Sequence, residues 1–357
     1  MIHNADLQGI DSTSTDDHRL TNIGKLIRKY KLDVSKNSAT LQKFGILETP
    51  PTAVAAGDIV DAGIYGDAVL TLLQNQKIKT KPTNSGLWGP SVIVKKISIP
   101  KMEKKFVAEQ IRWEAEQYIP FDISDVNLDY AFLSESNSGY DNMDVLLVAA
   151  RKEQIIKYVE IIETAGQVVS IIDVNGFALA NTFLFNYGPA QSPVAVLNVG
   201  SQYTNFVVIS GFDVIFCRDI PVGGQFYTVD IQKSLNVSLT EAESLKISAS
   251  MGQMPEEIAS VIQSSHEVVC DEIQGSIDFF NNTTPGVDLS KIFITGGGCR
   301  TPGLIQHLGQ VTSKEIEVLN PFIKVKPGRG LSGDFLNQVS DLAACAIGLG
   351  LRKEGDS

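Results

Sequence analysis

Ile292-Phe293-Ile294-Thr295-Gly296-Gly297-Gly298-Cys299-Arg300-Thr301-Pro302-Gly303-Leu304 reads as a buried strand that runs into three glycines and then the start of a helix. Only glycine lets a backbone lie flat against a ligand with its amides pointing inward, so this strand, turn and helix form a place where a nucleotide could rest. Two matching elements lie upstream. Val194–Gly200 is a second apolar strand ending in a glycine turn, followed by Tyr203-Thr204-Asn205 and a strand from Phe206 to Ile209. Ala242-Glu243-Ser244-Leu245-Lys246 then sets a carboxylate and an ammonium three residues apart on one face of an expected helix. One glycine turn says little; three such elements in this order say much more.

The 357-residue chain, 43% hydrophobic and 20% charged, has room for two or three domains that bury their cores without disulfides or metal. Its net charge of -11 argues against a nucleic-acid binder, which needs a surplus of Lys and Arg on one face. An acidic surface also repels anionic lipid, so membrane association is expected to go through a protein partner. Cys217, Cys270, Cys299 and Cys345 are far apart and the four histidines are equally scattered. They show no paired-ligand spacing; the cysteines read as small buried hydrophobes in a reducing cytosol, and no metal site is expected. No stretch approaches the ~20 apolar residues of a membrane span, and residues 1–20 lack the apolar core of a signal peptide. The expected location is cytoplasmic.

Asp11–Asp17 is a polar run without periodicity, read as disordered or as a helix cap. Short strands are expected at Lys31–Val34 and Ala39–Leu47, and a helix at Asp67–Gln76. From Ser91 a strand, a helix over Glu103–Tyr118, two strands and a second helix over Glu153–Ala165 form an α+β unit that looks inserted. The apolar stripe of its first helix is Phe106, Val107, Ile111, Ala115 and Tyr118; Arg112 and Trp113 fall off it. Val168–Val174 resumes the strand pattern and Phe177–Phe185 is a small-residue-rich helix. Three strands, Val222-Gly223-Gly224 and a mostly helical stretch over Thr228–Phe280 follow, and the small-residue helix Ser340–Leu351 is suited to close packing against another. Two similar α/β halves around a cleft are the expected architecture.

The glycine turns, in this order, resemble the actin-like nucleotide-binding fold, whose two halves close around ATP. A second segment is more specific. Ile111-Arg112-Trp113-Glu114-Ala115-Glu116-Gln117-Tyr118-Ile119-Pro120-Phe121-Asp122-Ile123, with Val126-Asn127-Leu128-Asp129-Tyr130 after it, is similar to the signature of the type IV pilus assembly PilM family, cytoplasmic relatives of the cell-division protein FtsA. The resemblance runs from Leu41 to Arg352. It implies a two-lobed α/β fold with subdomain IA at 1–90 and 168–190, an inserted IC at 91–167, IIA at 191–230 and 289–335, IIB at 231–288, and a terminal helix at 336–357 packing on IA.

The resemblance also assigns roles. Gly200, Ser201, Thr204 and Asn205 match the family's second phosphate loop, where backbone amides and the Ser201 and Thr204 hydroxyls would meet β- and γ-phosphates; the plain alternative is a hairpin turn. Gly223 and Gly224 join the nucleotide-contacting set. Glu243 and Lys246 would reach the ribose and adenine edge; alone, they read as a solvated ion pair of ~0.3–0.5 kcal/mol. Gly296, Gly297 and Gly298 would admit the adenine or α-phosphate, with Arg300 at the rim. Members of this family bind the cytoplasmic tail of the inner-membrane protein PilN between IA and IC, so Arg112, Trp113 and Glu116 are the expected partner residues, of types that often dominate interfaces. Tyr118 is expected in the module's core. The pilus motor ATPase and a second copy of the chain are further expected partners.

Two departures bear on catalysis. The family's first phosphate loop is not intact: Gly9-Ile10-Asp11-Ser12-Thr13 and Asn22-Ile23-Gly24-Lys25 are its nearest candidates, and an altered N-terminus would account for part of this. Asn198 stands where a second carboxylate is usual, and a neutral amide lacks the charge a hard divalent cation prefers. The expectation is an ATP-binding scaffold of the pilus machine with weak Mg²⁺ binding and slow or absent turnover. The alternatives are an active ATPase or phosphotransferase, for which Asp173 and Asp219 are the available bases but read as strand-end caps, or a self-polymerising cytoskeletal protein.

Overall fold

The computed structural model describes residues 26–34, 38–55, 58–133 and 141–353. The Asp11–Asp17 run and both candidates for the first phosphate loop lie outside the described residues.

Strands β1 (Leu26–Val34) and β2 (Ala39–Glu48) form an antiparallel hairpin. The short pair β3 (Val54–Ala55) and β4 (Asp58–Ile59) leads into helix α1 (Ala62–Asn75). The helix begins where the Asp61 carboxylate accepts from Ile64 N at 2.8 Å, well before the expected start at Asp67. Gly63 and Gly66 weaken a helical reading of that first turn. Gly66 has a packing role: a Cβ there would lie 2.6 Å from Thr164, on the helix α1 packs against.

After β5 (Pro82–Leu87) come β6 (Val92–Pro100), α2 (Lys104–Tyr118), β7 (Val126–Phe132), β8 (Asn142–Arg151) and α3 (Lys152–Thr164). The three strands form an antiparallel sheet in the order β6-β8-β7. On α2 the residues buried against it are Val107, Ile111 and Ala115, followed by Ile119 just past the helix end, a strict four-residue step. Tyr118 is therefore not core, as expected from its sequence, but 44% exposed, with Lys95 Nζ 5.4 Å from its ring centre. Phe106 is half exposed for the same reason: it stands one position before the buried step. The second helix, α3, shares its buried face with α1, so the core of the strand unit is supplied by the strands and α2.

β9 (Val168–Val174) pairs parallel with β5 and is followed by α4 (Asn175–Tyr187). The largest sheet is then laid down by β10 (Ala190–Val199), β11 (Thr204–Gly211) and β12 (Asp213–Ile220). Helices α5 (Gly224–Leu235), α6 (Leu239–Ser250) and the 28-residue α7 (Glu256–Thr283) follow, then β13 (Lys291–Thr295), α8 (Leu304–Thr312) and β14 (Ile316–Val318). Its order is β12-β11-β10-β13-β14, antiparallel on the β10–β12 side and parallel on the β13–β14 side. The chain ends with β15 (Val325–Pro327), parallel to β2, and α9 (Gly333–Gly350).

Alternation along β10 sends Ala195, Leu197 and Val199 toward α5, α7 and α8, and Val194 and Val196 toward α4. A strand buried on both faces reads as an unbroken apolar run, which is what 194–199 shows up to Asn198. Helices α4 and α9 pack so closely that a Cβ on Gly348 would fall 1.7 Å from Ala178 O, and Thr182 Oγ1 donates to Ala344 O at 2.7 Å. The expected close contact of the small-residue terminal helix is present.

Candidate functional site

Three glycine turns meet at the end of the five-stranded sheet. The first, Gly200–Tyr203, joins β10 to β11 and is closed by Gly200 N donating to Tyr203 O at 3.0 Å. The second, Gly223-Gly224, starts α5; Gly224 N donates to Gly200 O at 2.8 Å and Gln225 N to Ser201 O at 2.7 Å. The third is Gly296–Gly298. A Cβ at 296 would lie 2.4 Å from Val199 O, one at 298 would lie 2.5 Å from Val199 Cγ1, and one at 223 would lie 2.6 Å from Gly200 O. These glycines thus let three turns approach one another, and Gly296 also sits at φ 89°, a conformation costly for any side chain. Gly224 is the roomier position: its nearest neighbours stand at 3.5 Å, Gly200 O and Gly298 Cα.

Register places a polar row beside this junction. Asp219 pairs with Asn205, Asn205 with Asn198, and Asn198 with Thr295, across β12, β11, β10 and β13. Asn198 Nδ2 donates to Asn205 Oδ1 at 2.7 Å and Asn205 Nδ2 to Asp219 Oδ1 at 2.6 Å. The other oxygen of Asp219 accepts from Gly89 N at 2.6 Å, beyond the end of β5. Burial pushes the Asp219 carboxyl up from the usual carboxylate range, against the pull of these two bonds. Asp219 is therefore not a cap on its own strand end; it ties this sheet to the β5–β6 turn. Asp173 does cap locally, accepting from Val174 N at 2.8 Å, and pairs with Arg352 at 3.2 Å.

The candidate residues divide. Gly200, Ser201, Asn198, Asn205, Gly223, Gly224 and Gly296–Gly298 are brought together. The Thr204 hydroxyl, expected at phosphate, is fully buried and donates to Val222 O at 2.8 Å, whereas the Ser201 hydroxyl is half-buried and directed at Gln225 Oε1, 3.5 Å away. Backbone N–H groups of Ser201, Gln202 and Tyr203 have no protein acceptor among the described residues; consecutive N–H groups of this kind bind anions. Glu243 and Lys246 form neither a solvated pair nor a free pair of ligand groups. Lys246 Nζ is held by Glu243 at 2.8 Å, Thr228 Oγ1 at 2.7 Å and Gly224 O at 3.0 Å, while Thr228 also donates to Glu243. Burial lowers the Lys246 pKa and the Glu243 carboxylate opposes it. Lys246 clamps the start of α5 through Gly224.

Arg300 is likewise engaged. Its guanidinium pairs with the Asp341 carboxylate at two points, one at 2.6 Å, and donates to Gln338 O on α9. The Asp341 carbonyl accepts from Gly296 N at 2.8 Å and Thr295 Oγ1 at 3.0 Å. Sequence reasoning missed Asp341; its signal was the single carboxylate in the otherwise uncharged stretch Ser340–Leu351. Beyond Arg300 an open cavity of about 460 Å³ is lined by Cys299, Thr301, Pro302, Gly303, Ile305 and Gln306. Its wall is fixed from behind: His266 bonds Pro302 O at 2.9 Å and Tyr227 OH at 2.8 Å. Burial lowers the His266 pKa, so the ring is neutral, with Nε2–H donating to Pro302 and Nδ1 accepting from Tyr227.

Arg112, Trp113 and Glu116 lie away from this junction, on the exposed face of α2, with Trp113 61% exposed. Among the described residues no group of three or more His, Cys, Asp or Glu side chains is placed to hold a metal, and no helix is long and apolar enough to cross a membrane.

Comparison with solved structures gives the class first: an actin-like fold. The chain superimposes with a TM-score of 0.82 on a chain of the PilM-PilN type IV pilus biogenesis complex, 26% identical, over 92% of this chain and 96% of that one. The ethanolamine utilization protein EutJ from Carboxydothermus hydrogenoformans shares the fold, with a TM-score of 0.53 at 13% identity over 94% and 93% of the two chains. The sequence model of the family described as type IV pilus assembly protein PilM matches residues 23–354. The chain belongs to that family. Cell division protein FtsA of Enterococcus hirae is 26% identical over 181 residues, 45% of this chain and 40% of FtsA, so the match spans less than half of that relative.

Proposed function

We propose that this chain is a nucleotide-binding scaffold of the pilus assembly machinery, located in the cytoplasm and recruited to the inner membrane by the tail of a PilN-like protein. The observation that carries the reading is the near full-length likeness to a chain solved as part of a PilM-PilN complex. The junction of the three turns supports ATP as the ligand: the N–H groups of the Ser201–Tyr203 turn, without an acceptor among the described residues, suit phosphate, and an open cavity with polar and apolar lining lies beside Arg300. The residues fit direct coordination of a divalent cation less well than they fit its water shell. Asn198 offers an amide oxygen and the Asp219 carboxylate is committed to Asn205 and Gly89. When bound, a cation would neutralise phosphate charge; the chain itself supplies little to activate water, and turnover is slow or absent.

The division into subdomains, with 91–167 as the inserted module, belongs to this proposal. So does the partner face: Arg112, Trp113 and Glu116 present an exposed indole flanked by opposite charges. The test is thermal melting with ATP, with ATP and Mg²⁺, and with a peptide of the partner's tail. A ligand that binds the native state at a hundredfold its Kd adds about 2.7 kcal/mol of stability and raises the melting temperature. No shift with any nucleotide would remove the site, and no shift with the peptide would remove the partner.

A further inference from the structure

The row Asp219, Asn205, Asn198 has a direction, and chemistry fixes it. A carboxylate only accepts, whereas a carboxamide has a donor end and an acceptor end. Asp219 takes the Gly89 N–H on one oxygen, so its other oxygen can be met only by the Nδ2 end of Asn205. That turns Asn205 Oδ1 toward β10, where it requires a donor, and Asn198 Nδ2 supplies it. The orientation is passed on once more: Asn198 Oδ1 is directed at the glycine turn, where a Cβ on Gly296 would lie 2.6 Å from it.

We propose that Asp219 is a positioning residue which, through Asn205, fixes the acceptor end of the Asn198 amide toward the turn junction, so that this corner takes a hydrogen-bond donor such as the water of a hydrated divalent cation and disfavours a bare phosphate oxygen. The proposal rests on the reading of the junction as a nucleotide site and names the chemistry of one corner of it. Asn198 is then more than a missing carboxylate. A carboxylate at position 198 would put acceptor-only groups at both ends of Asn205, which can turn its Nδ2 end to one of them and must face the other with Oδ1.

The row can be reversed as a unit. In the double variant Asn198→Asp/Asp219→Asn the new amide at 219 donates to Asn205 Oδ1 and accepts from Gly89 N, and Asn205 donates to the new carboxylate at 198. Every bond is remade in the opposite sense. In ligand-free protein, Asn198→Asp alone should lower the melting temperature, and the double variant should recover most of the loss and restore the hydrogen-exchange protection of the Gly89 amide. A double variant no more stable than Asn198→Asp overturns the relay. The second readout is ATP affinity by calorimetry with and without Mg²⁺. In Asp219→Asn the row is free to flip and present Asn198 Nδ2 to the junction, so ATP alone should bind at least as tightly as in the parent while the gain from Mg²⁺ falls by about five- to tenfold, the worth of one well-made hydrogen bond. An unchanged Mg²⁺ gain overturns the positioning role. A parent chain that binds no ATP overturns the site reading and the ligand half of the proposal together, and the melting of the double variant still judges the relay.

Discussion

Arg300 and Asp341 grip each other at two points across the gap between the glycine turn and α9, and the Asp341 main chain holds the same turn through Gly296 N and Thr295 Oγ1. One residue of the terminal helix therefore fixes both the backbone and the side chain of the turn. Asp341 is 8% exposed at its side chain and Arg300 29%. Breaking a largely buried pair from one side leaves the other charge without compensation, so Asp341→Asn should cost about 2–4 kcal/mol in urea unfolding at unchanged m-value. Replacing both partners by leucine should cost less than the sum of the single changes. A loss below about 0.5 kcal/mol for Asp341→Asn, the range of an exposed pair, would mean that the bridge does not hold the turn.

Two glycines on long helices predict opposite outcomes for the same substitution. At Gly348 a Cβ would overlap the Ala178 carbonyl, which is backbone and cannot swing away. Gly348→Ala should destabilise by about 3 kcal/mol or more, since α4 and α9 must separate. At Gly275 on α7 nothing lies within 4 Å of the added methyl. Gly275→Ala should stabilise by about 0.5–1 kcal/mol through helix propensity alone. Thermal melts of the two variants side by side check both; equal effects would contradict the packing.

What the sequence disclosed follows the range of the interactions concerned. Strands at 194–199 and 291–295 and the long helix over 256–283 are legible because burial on their faces leaves an apolar pattern in the local sequence. Two of the glycine turns, at 200 and 296–298, were legible together and Gly223-Gly224 was noted beside them, but the reason for the glycines was not. Nothing local tells that Gly296 must clear Val199 O, almost a hundred positions earlier, and not only a ligand. The polar row is a product of strand register: Asn198, Asn205 and Asp219 become neighbours only when β10, β11 and β12 pair as they do. Lys246 and Glu243 were found by their spacing, whereas Thr228 and Gly224 O, which complete their bonding, come from another helix. Tyr118 shows the limit of periodicity at a helix end, where Ile119 takes the buried step and the ring turns outward.

Acidity should loosen the cavity wall through His266. Burial lowers its folded pKa below the ordinary value near 6.5, the Pro302 bond opposing and His307 assisting. As pH falls the unfolded chain takes up this proton first, so the residue's contribution is whole above about pH 6.5 and is lost as pH drops through that value toward the folded one. A protonated ring must donate from Nδ1, leaving the buried Tyr227 hydroxyl to find another acceptor. The urea midpoint should therefore fall between pH 7.5 and 5.5 by more in the parent than in His266→Gln. Equal falls would assign the pH response to other groups.

Ile111 and Trp113 stand two positions apart on α2 and separate folding from recognition. Ile111 is 1% exposed inside the core of the β6–β8–β7 sheet, and Ile111→Ala should cost about 2–5 kcal/mol. Trp113 is 61% exposed, so Trp113→Ala should change stability by no more than about 0.5 kcal/mol. If this face receives the partner's tail, the same substitution should weaken peptide binding by at least 2 kcal/mol, roughly thirtyfold, because an exposed indole that becomes buried is the typical anchor of such a contact. Arg112→Ala should add a smaller, salt-dependent loss, the pattern of a charge at the rim. The two measurements are independent: a destabilised Trp113→Ala would place the indole in the module's own packing, and a stable variant that binds the peptide as the parent does would move the partner to another face of the molecule.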